Sequence, residues 1–188
     1  MKPRLSAPTR SITSILAAET NQNIEKTAQL ISLLKPSQLS HQPSVPPGCV
    51  PVISLGHLLG HLLDCMAGFC AAFYVAFPKR LASFENLRKG QVNHFCEPAE
   101  ALARIRIYRK EIARGFGACT DNDLKRKLPT VFRPGGEPFL AVLLANLEHL
   151  LNHKYQLFFC LRLLGAPVGT KDLYYVRQTT YKIRKKRK

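Results

Sequence analysis

The sequence has few acidic residues and lacks the features that mark a secreted or a repetitive protein. Asp and Glu account for 12 of the 188 residues, against 28 Lys and Arg, so the formal net charge is +16. We find no secretory signal peptide and no internal repeat. The excess of positive charge favours contact with nucleic acid, anionic lipid or acidic partners, but it does not determine the fold.

The six cysteines show no CxxC pair, the spacing typical of zinc sites and redox motifs. Cys65 and Cys70 lie five residues apart in an apolar run that we interpret as helical, so their side chains diverge. Without a signal peptide, disulfides are not expected. The sequence therefore predicts reduced, mostly buried thiols in a cytoplasmic protein.

The length and the hydrophobic content predict one domain with a substantial core. Hydrophobic residues make up 46% of the chain, which is typical of a globular protein and too high for a disordered one. The last ten residues, 179–188, contain six cations and no acid, which predicts a basic, disordered tail. We therefore expect a domain over residues 1–178 followed by this tail.

Four segments have helical periodicity and recognisable ends, whereas no segment alternates convincingly like a strand. A connector rich in proline, residues 35–51, separates the first two helices. Four amphipathic or apolar helices in one small domain predict an all-α four-helix bundle. The predicted helices run from about Ser11 to Leu34, from Ser54 to just before Pro78, from Pro98 onwards, and from Pro138 to just before Gly165.

The second helix is long and apolar enough to raise the alternative of a membrane span. However, His57, His61 and Asp64 fall at positions i, i+4 and i+7 and form one polar line along it. A polar line on an otherwise apolar helix favours the interior of a bundle, so we expect no membrane span. The fourth helix repeats this pattern with Asn146, His149, His153 and Gln156.

His149 and His153 are one helical turn apart, so both imidazoles can reach the same ion. Such a pair is also found as two hydrogen-bonded core histidines, and this alternative stays open. The second helix offers inward-facing His57 and His61 as further ligands. Neutral imidazole binds zinc, nickel and iron, and three imidazoles would leave one coordination position open for water or substrate.

Two segments together resemble the DinB/YfiT-like superfamily. Residues 54–64, SLGHLLGHLLD, are similar to the helix that carries one metal histidine in that family. Residues 149–157, HLLNHKYQL, resemble its His-x-x-x-His-x-Gly-Gln motif. The resemblance covers about residues 10 to 175. It implies an up-down-down-up four-helix bundle in which His61, His149 and His153 hold a divalent metal ion.

The sequence departs from the family pattern beside these ligands. Tyr155 stands where the family usually has glycine, and Leu150 stands where an acidic residue is common. The catalytic base is therefore unassigned. We interpret three further polar residues, His57, Asp64 and Gln156, as outer groups that orient the ligands or as a possible fourth ligand. For His57 a hydrogen-bonded core histidine, and for Asp64 a plain hydrogen bond along the helix face, stay open as alternatives.

The resemblance implies a metal-dependent transferase that uses a low-molecular-weight thiol such as bacillithiol or mycothiol, or a hydrolase, in either case with a small-molecule substrate. A homodimer is compatible with this expectation. Two other classes stay open: a metal-binding stress or interaction protein without catalysis, and a nucleic-acid-associated protein. The basic tail and the net charge suggest the last class, although basic tails bind phosphates without sequence preference and we favour it less.

Overall fold

The computed structural model describes residues 10–48, 52–130 and 133–177. The predicted basic tail, 179–188, lies outside these residues. The described residues contain six α-helices, two 3₁₀-helices (Pro36–Gln38 and Asp123–Lys125) and one two-stranded ladder. The helices are α1 (Ile12–Ile31), α2 (Leu55–Ala76), α3 (Phe84–Arg88), α4 (Pro98–Gly117), α5 (Phe139–Leu163) and α6 (Lys171–Tyr174), and the antiparallel strands are β1 (Lys127–Leu128) and β2 (Glu137–Pro138).

The ends of the long helices follow from local chemistry. The hydroxyl of Ser11 accepts a hydrogen bond from the backbone N–H of Ser14 and caps α1. The same helix ends at Ile31, three residues before the predicted Leu34, because the chain tightens into 3₁₀-type bonds ahead of Pro36, which cannot donate. Gly165, with φ +72°, follows α5 in the left-handed conformation that glycine adopts readily.

The four long helices form a closed ring in which α2 and α1 each contact both α4 and α5. Phe73, near the end of α2, packs against Phe116 at the end of α4 and against Phe139 at the start of α5, with ring centroids 5.0 and 5.7 Å apart. Helices α2 and α4 are therefore parallel, and α5 is antiparallel to both. At the N-terminus of α1, the N–H of Thr13 donates to Asp121, which follows α4, so α1 is antiparallel to α4.

These contacts give α1, α2, α4 and α5 the directions up, down, down and up, and the prediction of an all-α fold is confirmed. The short ladder and the helices α3 and α6 were not predicted.

Helix α2 is long and apolar enough to cross a membrane, but 67% of its most apolar window is buried against the rest of the protein. Five described cysteines are free and buried, whereas Cys49 lies outside the described residues.

A buried lysine fixes the rotation of α5. Lys154 is 2% exposed, and its ammonium donates to the Asn23 side chain on α1 and to the backbone carbonyl of Leu173 on α6. Burial, and next the nearby Lys26, lower its pKa to about 8. Because Lys154 points to α1, the neighbouring His153 is turned towards α2.

Candidate metal centre

Three histidines converge where α2 packs against α5. His61 comes from α2, His149 and His153 come from α5, and one ring nitrogen of each lies within 4.8 Å of the others. The Nε2 atoms of His61 and His149 are 3.1 Å apart. Two nitrogens that bind one zinc ion tetrahedrally at about 2.0–2.1 Å lie about 3.3 Å from each other. The three imidazoles are therefore spaced closely enough to hold one ion.

Hydrogen bonds at the outer ring nitrogens orient two of these imidazoles. His61 Nδ1 lies 2.5 Å from the side-chain oxygen of Asn93, and His153 Nδ1 lies 2.7 Å from the side-chain oxygen of Gln156. An amide oxygen only accepts, so each Nδ1 donates and each Nε2 keeps its lone pair. Metal-binding histidines in proteins are oriented in the same way.

Burial lowers the pKa of two of these imidazoles and so favours the neutral form, which binds metal. Burial, and next the neighbouring His61, lower the pKa of His149. Burial also lowers the pKa of His153, against the opposing effect of its hydrogen bond to Gln156. A lowered pKa keeps an imidazole neutral at pH 7, and only the neutral form coordinates a metal.

The sequence also predicts Gln156, Asp64 and His57 beside the three histidines, and their contacts with this cluster differ. Gln156 contacts His153, as described above. The Asp64 carboxylate lies 4.0 Å from His61 Nδ1, farther than the Asn93 oxygen that bonds this atom. His57 is exposed, bonds the Ser54 hydroxyl at 2.9 Å and stands edge-on to Phe95, so it is not one of the three converging ligands.

Sequence reasoning missed Asn93 and also a second cluster formed by His94, Cys96 and Glu100. The Glu100 carboxylate already bonds His94 Nε2 at 3.0 Å and Arg104 at 3.4 Å. Burial, and next the charge of Glu100, raise the pKa of the Cys96 thiol to about 12. Because the Glu100 carboxylate is already paired with His94 and Arg104, we interpret this cluster as a hydrogen-bonded support for the start of α4.

A groove of about 620 Å³ begins beside His149. Its floor consists of small side chains at positions i, i+3, i+4 and i+7 of α2 and on the facing side of α5. Arg88, Glu137 and Asn146 add a few polar groups to an otherwise apolar wall. The small residues of the floor are Gly68, Ala71, Ala72 and Val75 on α2, and Val142 and Ala145 on α5.

Comparisons with known proteins identify the fold. No family model and no curated protein matches the sequence. The structure is similar to the crystal structure of YjoA, a DinB-like protein from Bacillus subtilis, with a TM-score of 0.62 and 17% sequence identity. The match covers 87% of this chain and 99% of YjoA. The protein therefore has a DinB-like fold, as the resemblance of the sequence implied.

We expect single alanine substitutions at His61, His149 and His153 each to reduce bound zinc strongly, because two remaining imidazoles hold an ion poorly. Removing a residue that only orients a metal ligand already costs about 10–100-fold in metal affinity, and removing a ligand itself should cost at least as much. Metal analysis after equilibrium dialysis measures the effect. His41→Ala is the matched control, and His57→Ala should cost little. Full zinc occupancy in the three triad variants would show that the ion binds elsewhere.

Acidification should release the metal. Free imidazole has a pKa of about 6.5, and the lowered pKa values of His149 and His153 mean that these rings become protonated only at a lower pH. Zinc should therefore stay bound at pH 7 and leave as the pH falls below about 6.5. Dialysis between pH 4 and pH 8, with circular dichroism to confirm folding, tests this. Binding that persists to about pH 4 would point to carboxylate ligands instead.

Proposed function

We propose that this protein is a metal-dependent transferase that joins a low-molecular-weight thiol to a small apolar electrophile. The observation that carries the proposal is the convergence of three imidazoles beside an apolar groove. His61, His149 and His153 would hold the ion through nitrogen lone pairs. A divalent ion in such a site lowers the pKa of a thiol or of water and so supplies a nucleophile at neutral pH.

The ordinary pKa of a thiol and the position of Asp64 both favour a thiol over water as the nucleophile. A thiol has an ordinary pKa of about 8.5, far below that of water at about 15.7, so it needs much less help to ionise. The Asp64 carboxylate faces His61 Nδ1, on the side of the ring away from the converging Nε2 atoms. It is therefore badly placed to remove a proton from a water molecule at the centre.

The groove supports an apolar second substrate. Small apolar side chains make up most of its lining, beside the charged groups of Arg88 and Glu137, and such a surface binds an aliphatic or aromatic body by desolvation. Because His149 lies at one end of the groove, an electrophilic carbon placed there would meet the nucleophile. The thiolate sulfur then forms the new carbon–sulfur bond, the leaving group departs with its electron pair, and the thiol proton goes to solvent.

The experiment uses the zinc-, nickel- or iron-loaded protein with cysteine, glutathione or bacillithiol, and monochlorobimane as the apolar electrophile. We expect fluorescent thioether to form and chloride to be released, with loss of turnover on chelation or in His153→Ala. Filling the groove with Ala145→Phe should raise the KM for bimane on the order of tenfold and change kcat less, since the contact serves binding.

Ala103→Phe, on an exposed face of α4, is the matched control and should leave both constants unchanged. Absence of metal-dependent turnover with all three thiols would contradict the transferase assignment. Metal-dependent cleavage of para-nitrophenyl acetate without added thiol would instead support the hydrolase alternative.

A further inference from the structure

The segment from Asn93 to Cys96 docks tightly on the start of α2. A Cβ atom added to Gly60 would lie within 3 Å of three backbone atoms of His94, and one added to Gly56 would lie 2.4 Å from the Phe95 ring. The N–H groups of Asn93 and Cys96 donate to the carbonyls of Gly60 and Gly56, at 3.1 and 3.0 Å. Only glycine at these two positions allows so close an approach.

The other side of this segment is held by α4. His94 bonds Glu100 on the first turn of α4, and the Cys96 side chain is fully buried. Asn93 itself has φ +58°, and it is the one non-glycine residue with positive φ in the described ranges. Asparagine tolerates this left-handed conformation better than most residues, but it persists because the neighbouring contacts hold it.

This backbone conformation places the Asn93 side chain beside His61 at the candidate metal centre. Its oxygen lies 2.5 Å from His61 Nδ1, whereas the Asp64 carboxylate on the same helix as His61 lies 4.0 Å from that atom. Because the oxygen can only accept, the proton of a neutral His61 ring belongs on Nδ1. The lone pair on Nε2 then points towards His149, whose Nε2 is 3.1 Å away.

We propose that Asn93 is a positioning residue that fixes the tautomer of His61 and thereby aims its Nε2 at the ion. The glycines of α2 and the bond between His94 and Glu100 hold Asn93 in place for this task. The consequence for metal affinity rests on the proposed function. The tautomer itself belongs to the metal-free protein and can be measured there.

Asn93→Gly separates the effect of the side chain from the effect of the backbone conformation. Glycine keeps the left-handed conformation, and only the side-chain amide is lost. Two-bond proton–nitrogen NMR on metal-free, ¹⁵N-histidine protein at about pH 8, where imidazole is neutral, reads the tautomer. The His61→Ala spectrum assigns the His61 signals. We expect the proton on Nδ1 in the unsubstituted protein and in Asn93→Asp, which restores an acceptor, and loss of this preference in Asn93→Gly.

Asp64→Asn is the matched control and should leave the His61 tautomer unchanged. Zinc affinity, from competition with a chromophoric chelator, should fall about 10–100-fold in Asn93→Gly and much less in Asp64→Asn and Asn93→Asp. A proton on Nε2 in the unsubstituted protein, or an unchanged tautomer in Asn93→Gly, would overturn the proposal. If the unsubstituted protein binds no zinc at all, the proposed function fails, while the NMR result still decides the role of Asn93.

Discussion

The antiparallel packing of α2 against α5 is the constraint on which the rest of the structure depends. Each helix carries a polar line beside its buried apolar face, and the packing of the two helices brings these lines together at His61, His149 and His153. Lys154 fixes α5 from the opposite side through Asn23 and so determines which face of α5 meets α2. Half-buried imidazoles lose hydration, and a shared ion would offset this cost.

Small residues along α2 serve two different purposes. Near its start, Gly56 and Gly60 let a loop approach the helix backbone, and this loop supports His61. Farther along, Gly68 admits the Asn146 side chain of α5, 2.4 Å from where a Cβ atom would lie, and Ala71 and Ala72 line the groove. Glycine within a helix costs about 1 kcal/mol relative to alanine. The many buried leucines and phenylalanines of α2 offset that cost, so the helix can carry both a support and a groove.

The sequence predicts those parts of the structure that depend on neighbours along one helix. The pairing of His149 with His153 follows from helical spacing alone, whereas the choice of His61 over His57 as the third ligand rests on the family resemblance. Asp64 is one of the residues that the sequence offers to orient an imidazole, yet the acceptor for His61 Nδ1 is Asn93, 32 residues after His61 in a loop. Periodicity carries no information about such a contact. Helices α3 and α6 and the two-residue strands are likewise too short to produce a periodic pattern.

X-ray absorption of the zinc-loaded protein, without added thiol, tests whether the three histidines share one ion, because it reports the elements and distances around zinc. We expect about three imidazole nitrogens at about 2.0–2.1 Å and one further light atom. Cys96 belongs to the other histidine-containing cluster and would add a sulfur at about 2.3 Å if zinc bound there. A sulfur shell, or a spectrum unchanged in His153→Ala, would contradict the account.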